Sequence, residues 1–395
     1  MKKSILIVVH TDYPWKEGMS YRVDNMANCL SQEYDVNVVS PILESSYPSL
    51  SETGNYRILR FDLRILQKIR AHRALFRILF IFIFALCMVK VRKKTPHSQI
   101  CLVQSEQQLA LLPAVILSFF CRTKLIVDDI LSRNNYYKEH LGFFEIFIHA
   151  AETILVKRCS LVIATNDRVA REIKDSARLE TSKVRIVPNG VKSVNPDVSF
   201  EIADLSKKDI VFVGSMYSEQ NRRAVNNLLQ IFPSVLSEVN NARLVIIGGP
   251  LSLLNKRLNP FPENLKNSIQ FLGYLSEIEK EKYLLAASVC VLPFDLKDSL
   301  IGGIRLKALD FLSYGKIVVS TPTGIEGIRG AVSGENMIIA DNLEFFRECL
   351  IDVLKHPEKY EQVQKNALKL ASNYEWLSVL KGYSSILKEM MRNEE

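Results

Sequence analysis

The sequence predicts an α/β protein with two domains, each built on a parallel β-sheet. Short apolar runs that suit buried strands alternate with amphipathic stretches along most of the 395 residues. The chain is too long for one typical hydrophobic core, and the alternation restarts at Asp209 after a stretch rich in Ser, Asp and Lys. We therefore predict a first domain over 1–190, a linker over 191–208, a second domain over 209–373 and a C-terminal helix over 374–395.

Composition fits an unexported globular protein. Hydrophobic residues make up 48% and charged residues 24% of the chain, and the seven cysteines are odd in number and without a Cys-x-x-Cys pair. This pattern predicts neither a zinc ribbon nor a disulfide framework, and it favours a reducing compartment. The apolar run Ile5–Val9 is too short for a signal-peptide core, so we expect a cytoplasmic protein.

The net charge of +8 comes from one segment. Nine Lys and Arg lie between Leu63 and Ser105, where there is no Asp or Glu. Such local basicity argues against a nucleic-acid-binding surface spread over the fold. The apolar centre Ile78–Val89 is only about 18 Å of helix, too short to span a bilayer.

Two interpretations of this basic segment, residues 64–94, remain open. In the first, it is a buried crossover helix between two strands. In the second, which adds to the first, it lies on the inner face of the cell membrane. Basic residues then meet anionic headgroups, and aromatic side chains enter the interface, namely Phe76, Phe80, Phe82 and Phe84.

The elements of the first domain follow from apolar runs and caps. We predict strands at Ile5–His10, Asp35–Ser40, Tyr56–Phe61, Gln99–Gln104, Lys124–Asp129, Ser160–Thr165 and Lys183–Val187. Helices are predicted at Met19–Gln32, Glu139–Arg158 and Arg168–Lys174, the last with Asn166 as its N-cap. Pro188-Asn189-Gly190-Val191 is a turn signal that ends the domain.

The second domain repeats the alternation. We predict strands at Asp209–Val213, Arg243–Ile247, Ser288–Phe294, Lys316–Thr321 and Asn336–Ile339, with a further one beginning at Ile269. Helices are predicted at Asn221–Glu238, Glu277–Ala287, Asn342–Lys355, Pro357–Tyr374 and Glu375–Arg392.

The most informative stretch is Ser299–Glu326. Gly302-Gly303 lets the backbone approach a ligand closely, and a helix starting near Ile304 would aim unpaired N–H groups at an anion. Arg305 and Lys307 would lie in its first turn, where cations are unfavourable with respect to the helix dipole. A bound phosphate or diphosphate would remove that conflict.

The rest of this helix predicts a second contact. At helical spacing Asp310 lies one turn further on, where a carboxylate could accept hydrogen bonds from two ribose hydroxyls, and Gly315 ends the helix. Ile304, Ala308, Phe311 and Leu312 would point to the core. The alternative is an ordinary βαβ element whose basic residues are solvated.

This stretch resembles the donor-binding segment of the retaining "group 1" (family 4-like) glycosyltransferases, which have the GT-B fold. Gly303-Ile304-Arg305-Leu306-Lys307 is similar to one branch of that family, and Asp310 stands at its second acidic position in place of the usual glutamate. The first acidic position falls on Gly302, so that carboxylate is missing. The resemblance implies two Rossmann-like domains facing across a cleft, with a C-terminal helix crossing back to the first domain.

The resemblance also implies site residues. Those expected to bind the donor, besides Arg305, Lys307 and Asp310, are Gly214, Ser215, Asn221 and Arg222 near the diphosphate, Gly273, Tyr274 and Leu275 near the base, and Gly302, Gly303 and Ile304 at the helix start. On the acceptor side the expected residues are Gly18, Asp129 and His10. For Asp129 a cap at the end of its strand is an equal alternative, and for His10 an ordinary buried polar role is favoured.

The activity implied is transfer of a sugar, with retention, from a nucleotide diphosphate sugar of UDP or GDP type to a glycan or lipid-linked acceptor. Arg305 and Lys307 would stabilise the leaving diphosphate. No Asp-x-Asp occurs in the chain, so we expect no metal and no other cofactor. The unexported chain and its basic segment suggest assembly of a cell-envelope or exported polysaccharide or glycolipid.

Other classes fit less well. The glycine motifs of dinucleotide-dependent oxidoreductases and of P-loop kinases are both missing. A GT-B sugar-nucleotide epimerase would need an acid/base set in the first domain that the sequence does not reveal. A catalytically degenerate subunit, which keeps the nucleotide pocket without turnover, is the serious alternative because one acidic position is lost.

Overall fold

The computed structural model describes most of the chain. The described residues are 2–14, 18–44, 50–53, 55–70, 72–95, 98–105, 110–121, 123–129, 150, 153–194, 208–253, 262–296, 298 and 304–392.

The described residues form two compact units. Unit 1 contains those of 1–189 and 379–395, and unit 2 contains those of 190–300 and 304–378. Each unit has its own sheet and its own hydrophobic core.

Unit 1 is built on an eight-stranded sheet. Its strands are β1 (Ser4–Val8), β2 (Asp35–Ile42), β3 (Leu50–Thr53), β4 (Tyr56–Asp62), β5 (Ser98–Ser105), β6 (Lys124–Asp129), β7 (Leu161–Ala164) and β8 (Val184–Ile186). Their order is β3-β4-β2-β1-β5-β6-β7-β8, and every pairing is parallel except that of β3 with β4. Strand β3 was not predicted, because it lies in a segment rich in Ser and Pro.

Helices connect the strands of unit 1. They are α1 (Gly18–Ser31), α2 (Arg73–Lys94), α3 (Leu111–Cys121) and α4 (Asp167–Ala177), with a 3-10 helix at Arg64–Ile69. The predicted cap of α4 is confirmed, since Asn166 Oδ1 accepts a hydrogen bond of 2.9 Å from the Val169 N–H. Most of the predicted helix Glu139–Arg158 lies outside the described residues.

Helix α2 is longer than its apolar centre suggested. It has 22 residues and is about 33 Å long. Phe80 and Phe84 are buried in the core of unit 1, and Phe76 is partly buried against it. The prediction that these aromatic residues enter a membrane interface is therefore wrong for Phe80 and Phe84, whereas Phe82 is 63% exposed. Among the described residues, no helix combines the length and the apolar character needed to cross a membrane.

A buried ion pair joins distant parts of unit 1. Arg22 on α1 donates to both carboxylate oxygens of Asp128 on β6, at 2.8 and 2.9 Å. The same guanidinium donates to the carbonyl oxygens of Val187 and Pro188 and to Asn189 Oδ1. Arg22 therefore fixes the end of β6 to the segment that follows β8.

Unit 2 is built on a six-stranded, all-parallel sheet. Its strands are β9 (Lys208–Val213), β10 (Ala242–Ile247), β11 (Ile269–Gly273), β12 (Val289–Leu292), β13 (Val318–Ser320) and β14 (Ile338–Ile339). The order is β11-β10-β9-β12-β13-β14. All six correspond to apolar runs recognised in the sequence, because strands covered on both faces are almost wholly apolar.

The helices of unit 2 also follow the prediction, except for the short helix Glu263–Asn267, which was not predicted. They are α5 (Glu219–Glu238), α6 (Glu263–Asn267), α7 (Glu277–Ala286), α8 (Leu306–Ser313), α9 (Leu343–Lys355) and α10 (Glu361–Ser372). The last helix of the chain, α11 (Trp376–Arg392), begins in unit 2, and its residues from Val379 onwards belong to unit 1. The helix predicted from Pro357 begins as a 3-10 turn, Pro357–Tyr360.

We predict that Arg22→Met destabilises unit 1 strongly, because it leaves Asp128 buried without its partner. Loss of one member of a buried ion pair costs about 3–5 kcal/mol. Urea unfolding of the full-length protein measures the effect. Arg57→Met is the matched control, since Arg57 and Asp35 form a pair that is 41% and 44% exposed, and such pairs contribute about 0–1 kcal/mol. Equal losses in the two variants would contradict the prediction.

Candidate functional site

The described residues among those predicted to bind the donor lie near the carboxyl ends of the unit 2 strands. The loops after β9, β10 and β11 are tied together by backbone hydrogen bonds. Gly214 N–H donates to the Ile247 carbonyl at 2.8 Å, Met216 N–H to the Gly249 carbonyl at 2.7 Å, and Gly248 N–H to the Gly273 carbonyl at 2.7 Å. In parallel sheets this edge is where ligands bind.

Glycines make this close meeting of loops possible. Gly248 has a φ of +134°, and a Cβ there would collide with the carbonyl oxygen of Gly214. A Cβ on Gly249 would lie 2.8 Å from the ring of Tyr274. Larger residues at either position would force the loops apart.

Lys307 occupies the space left by a third glycine. A Cβ on Gly214 would lie 2.6 Å from Lys307 Nζ. This ammonium group donates to Asn221 Oδ1 at 2.8 Å, and the Asn221 amide donates to the Ser215 carbonyl at 2.8 Å. Three of the residues predicted to bind the sugar donor are thus in direct contact, namely Gly214, Asn221 and Lys307.

Arg305 lies beside Lys307 at the start of α8. Its guanidinium carbon is 4.1 Å from the centre of the Phe294 ring, and Lys307 Nζ is 5.2 Å from the same centre. Arg305 donates to Gln220 Oε1 at 3.4 Å and to the Asp298 carbonyl at 3.1 Å, while its buried Nε has no partner among the described residues. The helix begins two residues after the predicted Ile304, so Arg305 is its N-cap, and the Arg305 side chain makes no capping hydrogen bond.

The two cations lie close together and are poorly neutralised. Burial, and then the charge of Arg305, lower the pKa of Lys307 to about 7. Burial also lowers the pKa of Arg305, against the opposing effect of Asp298 and Glu326. Within the described part of unit 2, no carboxylate lies within ion-pair distance of Lys307. An anion bound here would stabilise the charged form of Lys307.

The neighbouring arginines of α5 are already engaged. Arg222 donates to the carbonyl oxygens of Met216 and Tyr217, at 2.7 and 2.8 Å, and so holds the loop after β9. Arg223 pairs with the buried carboxylate of Asp298. Sequence reasoning missed Arg223 and Asp298, because their pairing joins residues 75 positions apart and no local pattern marks it.

Asp310 lies on α8 beyond the two cations. Its nearest charged partner is Lys280 of α7, with 3.7 Å between Lys280 Nζ and Asp310 Oδ2, and the Asp310 side chain is 35% exposed. Burial raises the pKa of Asp310, Lys280 opposes this, and Glu277 adds to it. Lys280 was missed because α7, Glu-Ile-Glu-Lys-Glu-Lys-Tyr, has the sequence of an ordinary solvated helix.

The predicted faces of α8 are confirmed. Ile304, Ala308, Phe311 and Leu312 are all buried in the core of unit 2. Gly315 has a φ of +63°, as expected of a glycine that follows the end of a helix.

Tyr274 lines the same edge of the sheet. Gly273 adopts a φ of +69°, and Tyr274 follows with a side chain that is 62% exposed. Its hydroxyl is 3.3 Å from Ser215 Oγ. Leu275 is partly buried against the core. An exposed aromatic ring next to a left-handed glycine offers a surface on which a planar ligand can stack.

The remaining predicted residues belong to unit 1 or lie outside the described residues. His10 follows β1 and is 3% exposed, and burial lowers its pKa to about 4, so its imidazole is neutral near pH 7. Gly18 is the first residue of α1. Asp129 ends β6, but its side chain is outside the described residues, as are Gly302 and Gly303.

Comparison with known families identifies the architecture. Residues 17–193 match the model for glycosyltransferase family 4, and residues 207–356 match that for group 1 glycosyl transferases. The chain belongs to this glycosyltransferase superfamily. Among curated protein sequences, none matches it.

Solved structures of similar fold match over almost the full length of this glycosyltransferase. Sucrose-phosphate synthase from Thermosynechococcus elongatus has a TM-score of 0.73 at 11% identity, with 99% of this chain and 100% of that chain covered. HepE from Anabaena, in complex with UDP, has a TM-score of 0.70 at 15% identity, with 98% and 100% covered. The lipopolysaccharide outer core galactosyltransferase WaaB, in its apo form, has a TM-score of 0.67 at 12% identity, with 98% and 99% covered. The prediction of a GT-B protein with two Rossmann-like domains is confirmed.

We predict that Lys307→Met changes the pH dependence of stability. The folded pKa of about 7 is below the ordinary value of 10.5, so the unfolded chain binds more protons between these values and stability rises with pH. The melting temperature of the variant minus that of the parent protein should therefore be largest near pH 6, and this difference should fall towards pH 9. Scanning calorimetry across this range measures the difference, and a difference that is constant with pH would contradict the assignment.

Proposed function

We propose that this glycosyltransferase moves a sugar from a nucleotide diphosphate sugar to an acceptor hydroxyl, with retention of the anomeric configuration. The observation that carries the proposal is the pair of cations, Arg305 and Lys307, which lies at the ligand-binding edge of a parallel sheet. Lys307 contacts no carboxylate in the described part of unit 2. A diphosphate supplies the negative charge that the protein does not.

The diphosphate, the base and the ribose of the nucleotide sugar each have proposed partners among the residues discussed above. The diphosphate lies against Lys307, Arg305 and the start of α8, where Ile304, Gly302 and Gly303 precede the helix. The loop of Gly214 and Ser215, held by Asn221 and Arg222, covers its other side. The base lies along Gly273, Tyr274 and Leu275, and Asp310 accepts hydrogen bonds from ribose hydroxyls.

The proposed chemistry needs no nucleophilic side chain. The bond between the anomeric carbon and the phosphate oxygen breaks, and a bond from that carbon to the acceptor oxygen forms on the same face. The acceptor proton moves to the departing phosphate. Arg305 and Lys307 stabilise the charge that develops on the diphosphate, which is the electrostatic role usually worth most in catalysis. With two cations in this place, we propose that transfer does not require a divalent metal.

UDP is the proposed donor nucleotide, with GDP as the second choice. The similarity to HepE in complex with UDP supports this choice, at the level of a shared fold. The contacts proposed for the base are mostly to the backbone around Gly273. Such contacts discriminate less between bases than hydrogen bonds from specific side chains would.

We place the acceptor in unit 1, near the ends of β1 and β6, with Gly18 and Asp129 as contacts and His10 as a neutral neighbour. A cell-envelope glycan or glycolipid, built at the cytoplasmic face of the membrane, is the proposed product. The similarity to a lipopolysaccharide galactosyltransferase supports this class. The basic segment 64–94 supports peripheral association with an anionic membrane surface.

A second candidate function is a non-catalytic subunit that binds nucleotide sugar. The observation that favours it is the setting of Asp310, which faces Lys280 at 3.7 Å and has no acidic residue at position 302 to act with it. In this case the pocket would bind donor, while turnover would need another protein.

A thermal-shift screen against UDP, GDP, ADP, CMP and dTDP sugars tests the donor site. We expect a clear rise in melting temperature with one base, and the same rise in EDTA. The reason is that bound diphosphate neutralises Arg305 and Lys307. Lys307→Met should lose most of the shift. No shift with any nucleotide would overturn the donor site altogether.

Turnover measured for the parent protein and for Asp310→Asn distinguishes an enzyme from a non-catalytic subunit. We expect a loss of turnover of about 10- to 100-fold with the donor found above, because an amide holds ribose hydroxyls less well than a carboxylate does. Release of the nucleotide diphosphate from the donor sugar measures turnover. Asp341→Asn, on an exposed residue of the same unit, is the control. Absence of turnover in the parent protein, with nucleotide binding intact, would favour the subunit.

A further inference from the structure

One side of helix α2 carries apolar side chains that face away from unit 1. Leu75, Ile78, Phe82, Leu86 and Val89 are all exposed, and Phe82 and Leu86 are 63% and 55% exposed. Their spacing of three and four residues places them in one stripe. From first to last the stripe is about 21 Å long. We refer to these five residues as the outer stripe of α2.

The opposite side of α2 holds the helix in place. Phe80, Phe84, Met88 and Val91 are fully or almost fully buried in the core of unit 1. Because this side is fixed against the sheet, the helix cannot turn to bury its outer stripe within unit 1. The stripe therefore stays exposed on the described part of unit 1.

Neighbouring elements extend the apolar surface. Helix α3 packs beside α2 in the same core and exposes Leu112 and Phe119, and the 3-10 helix before α2 exposes Ile65. Of the large apolar side chains exposed in the described part of unit 1, all except Tyr21 and Ile154 belong to this layer. Such concentration on one side is typical of an interaction surface.

The segment that carries this surface has charges of one sign. Lys90, Lys93 and Lys94 are exposed at the end of α2, and Lys68 is exposed before its start. No Asp or Glu occurs between Leu63 and Ser105. Arg64 and Arg70 are paired with Asp62 and Glu44, so they contribute less to the attraction of an anionic surface than the four exposed lysines do.

We propose that this face of unit 1 docks in the plane of an anionic lipid bilayer. The outer stripe enters the boundary between headgroups and acyl chains, and the four lysines meet lipid phosphates or carboxylates. A second copy of the chain is disfavoured as the partner. In a two-fold interface the same patch meets itself, so lysines would face lysines. The inference names the surface for the membrane association proposed above, and it is independent of the donor site.

Flotation with vesicles tests the apolar part of this surface. Full-length protein is mixed with phosphatidylcholine vesicles containing roughly one third phosphatidylglycerol, or with phosphatidylcholine alone, because anionic headgroups attract basic segments. We expect Phe82→Ser/Leu86→Ser to lower the partition coefficient by roughly tenfold or more. The matched control is Phe345→Ser/Leu377→Ser, which removes the same two residue types from exposed positions outside the face.

A second variant tests the charge. Lys90→Gln/Lys93→Gln/Lys94→Gln should lower binding to the anionic vesicles roughly tenfold or more at low salt, and should not change binding to neutral vesicles. The matched control, Lys365→Gln/Lys369→Gln/Lys381→Gln, removes the same charge from exposed lysines elsewhere and should bind as the parent does.

Three outcomes would overturn the proposal. The parent protein could fail to float with anionic vesicles, either the double or the triple variant could behave like its control, or Phe82→Ser/Leu86→Ser could convert an oligomer to a monomer in light scattering. The last outcome would make the face a protein interface. Nucleotide thermal shifts on the same samples show that each variant is folded. They also separate the two proposals, because lost flotation with intact nucleotide binding concerns the membrane alone.

Discussion

The site depends on an ammonium group placed where the protein does little to neutralise it. Lys307 Nζ lies in the space that Gly214 leaves open, with Asn221 as its hydrogen-bond acceptor and Arg305 as its charged neighbour. Charged groups in such places are usually costly, and proteins keep them mainly where a ligand completes the pairing. Under the proposed function, the arrangement lowers the stability of the empty protein and raises its affinity for an anion.

The surrounding loops explain how a parallel sheet can hold this group. Gly214, Gly248 and Gly249 let the loops after β9 and β10 meet, and each would force a clash if it carried a side chain. Phe294 lies under Arg305, and Phe212 lies 4.7 Å below Lys307 Nζ, so aromatic rings rather than carboxylates support the cations. An aromatic ring attracts a cation without accepting a strong hydrogen bond from it. The two cations therefore keep hydrogen-bond donors for a ligand.

The sequence predicted what depends on local pattern and missed what depends on packing between distant residues. The strands of unit 2, the Asn166 cap and the buried side of α8 follow from apolar runs, cap chemistry and helical spacing. In α2 a nearly continuous apolar run hid which phenylalanines face the core, and Phe80 and Phe84 were misplaced for that reason. The contacts of Arg305 with Gln220, of Lys280 with Asp310 and of Arg22 with Asp128 join residues far apart in the chain, and no local signal reveals them.

The most direct measurement is calorimetric titration of UDP into the protein at pH 8, in two buffers of different ionisation enthalpy. If Lys307 has a pKa near 7 and pairs with the diphosphate, binding should take up close to one proton at this pH. The uptake should disappear in Lys307→Met, together with most of the affinity. Binding of UDP without proton uptake, and with equal affinity in the variant, would contradict the account.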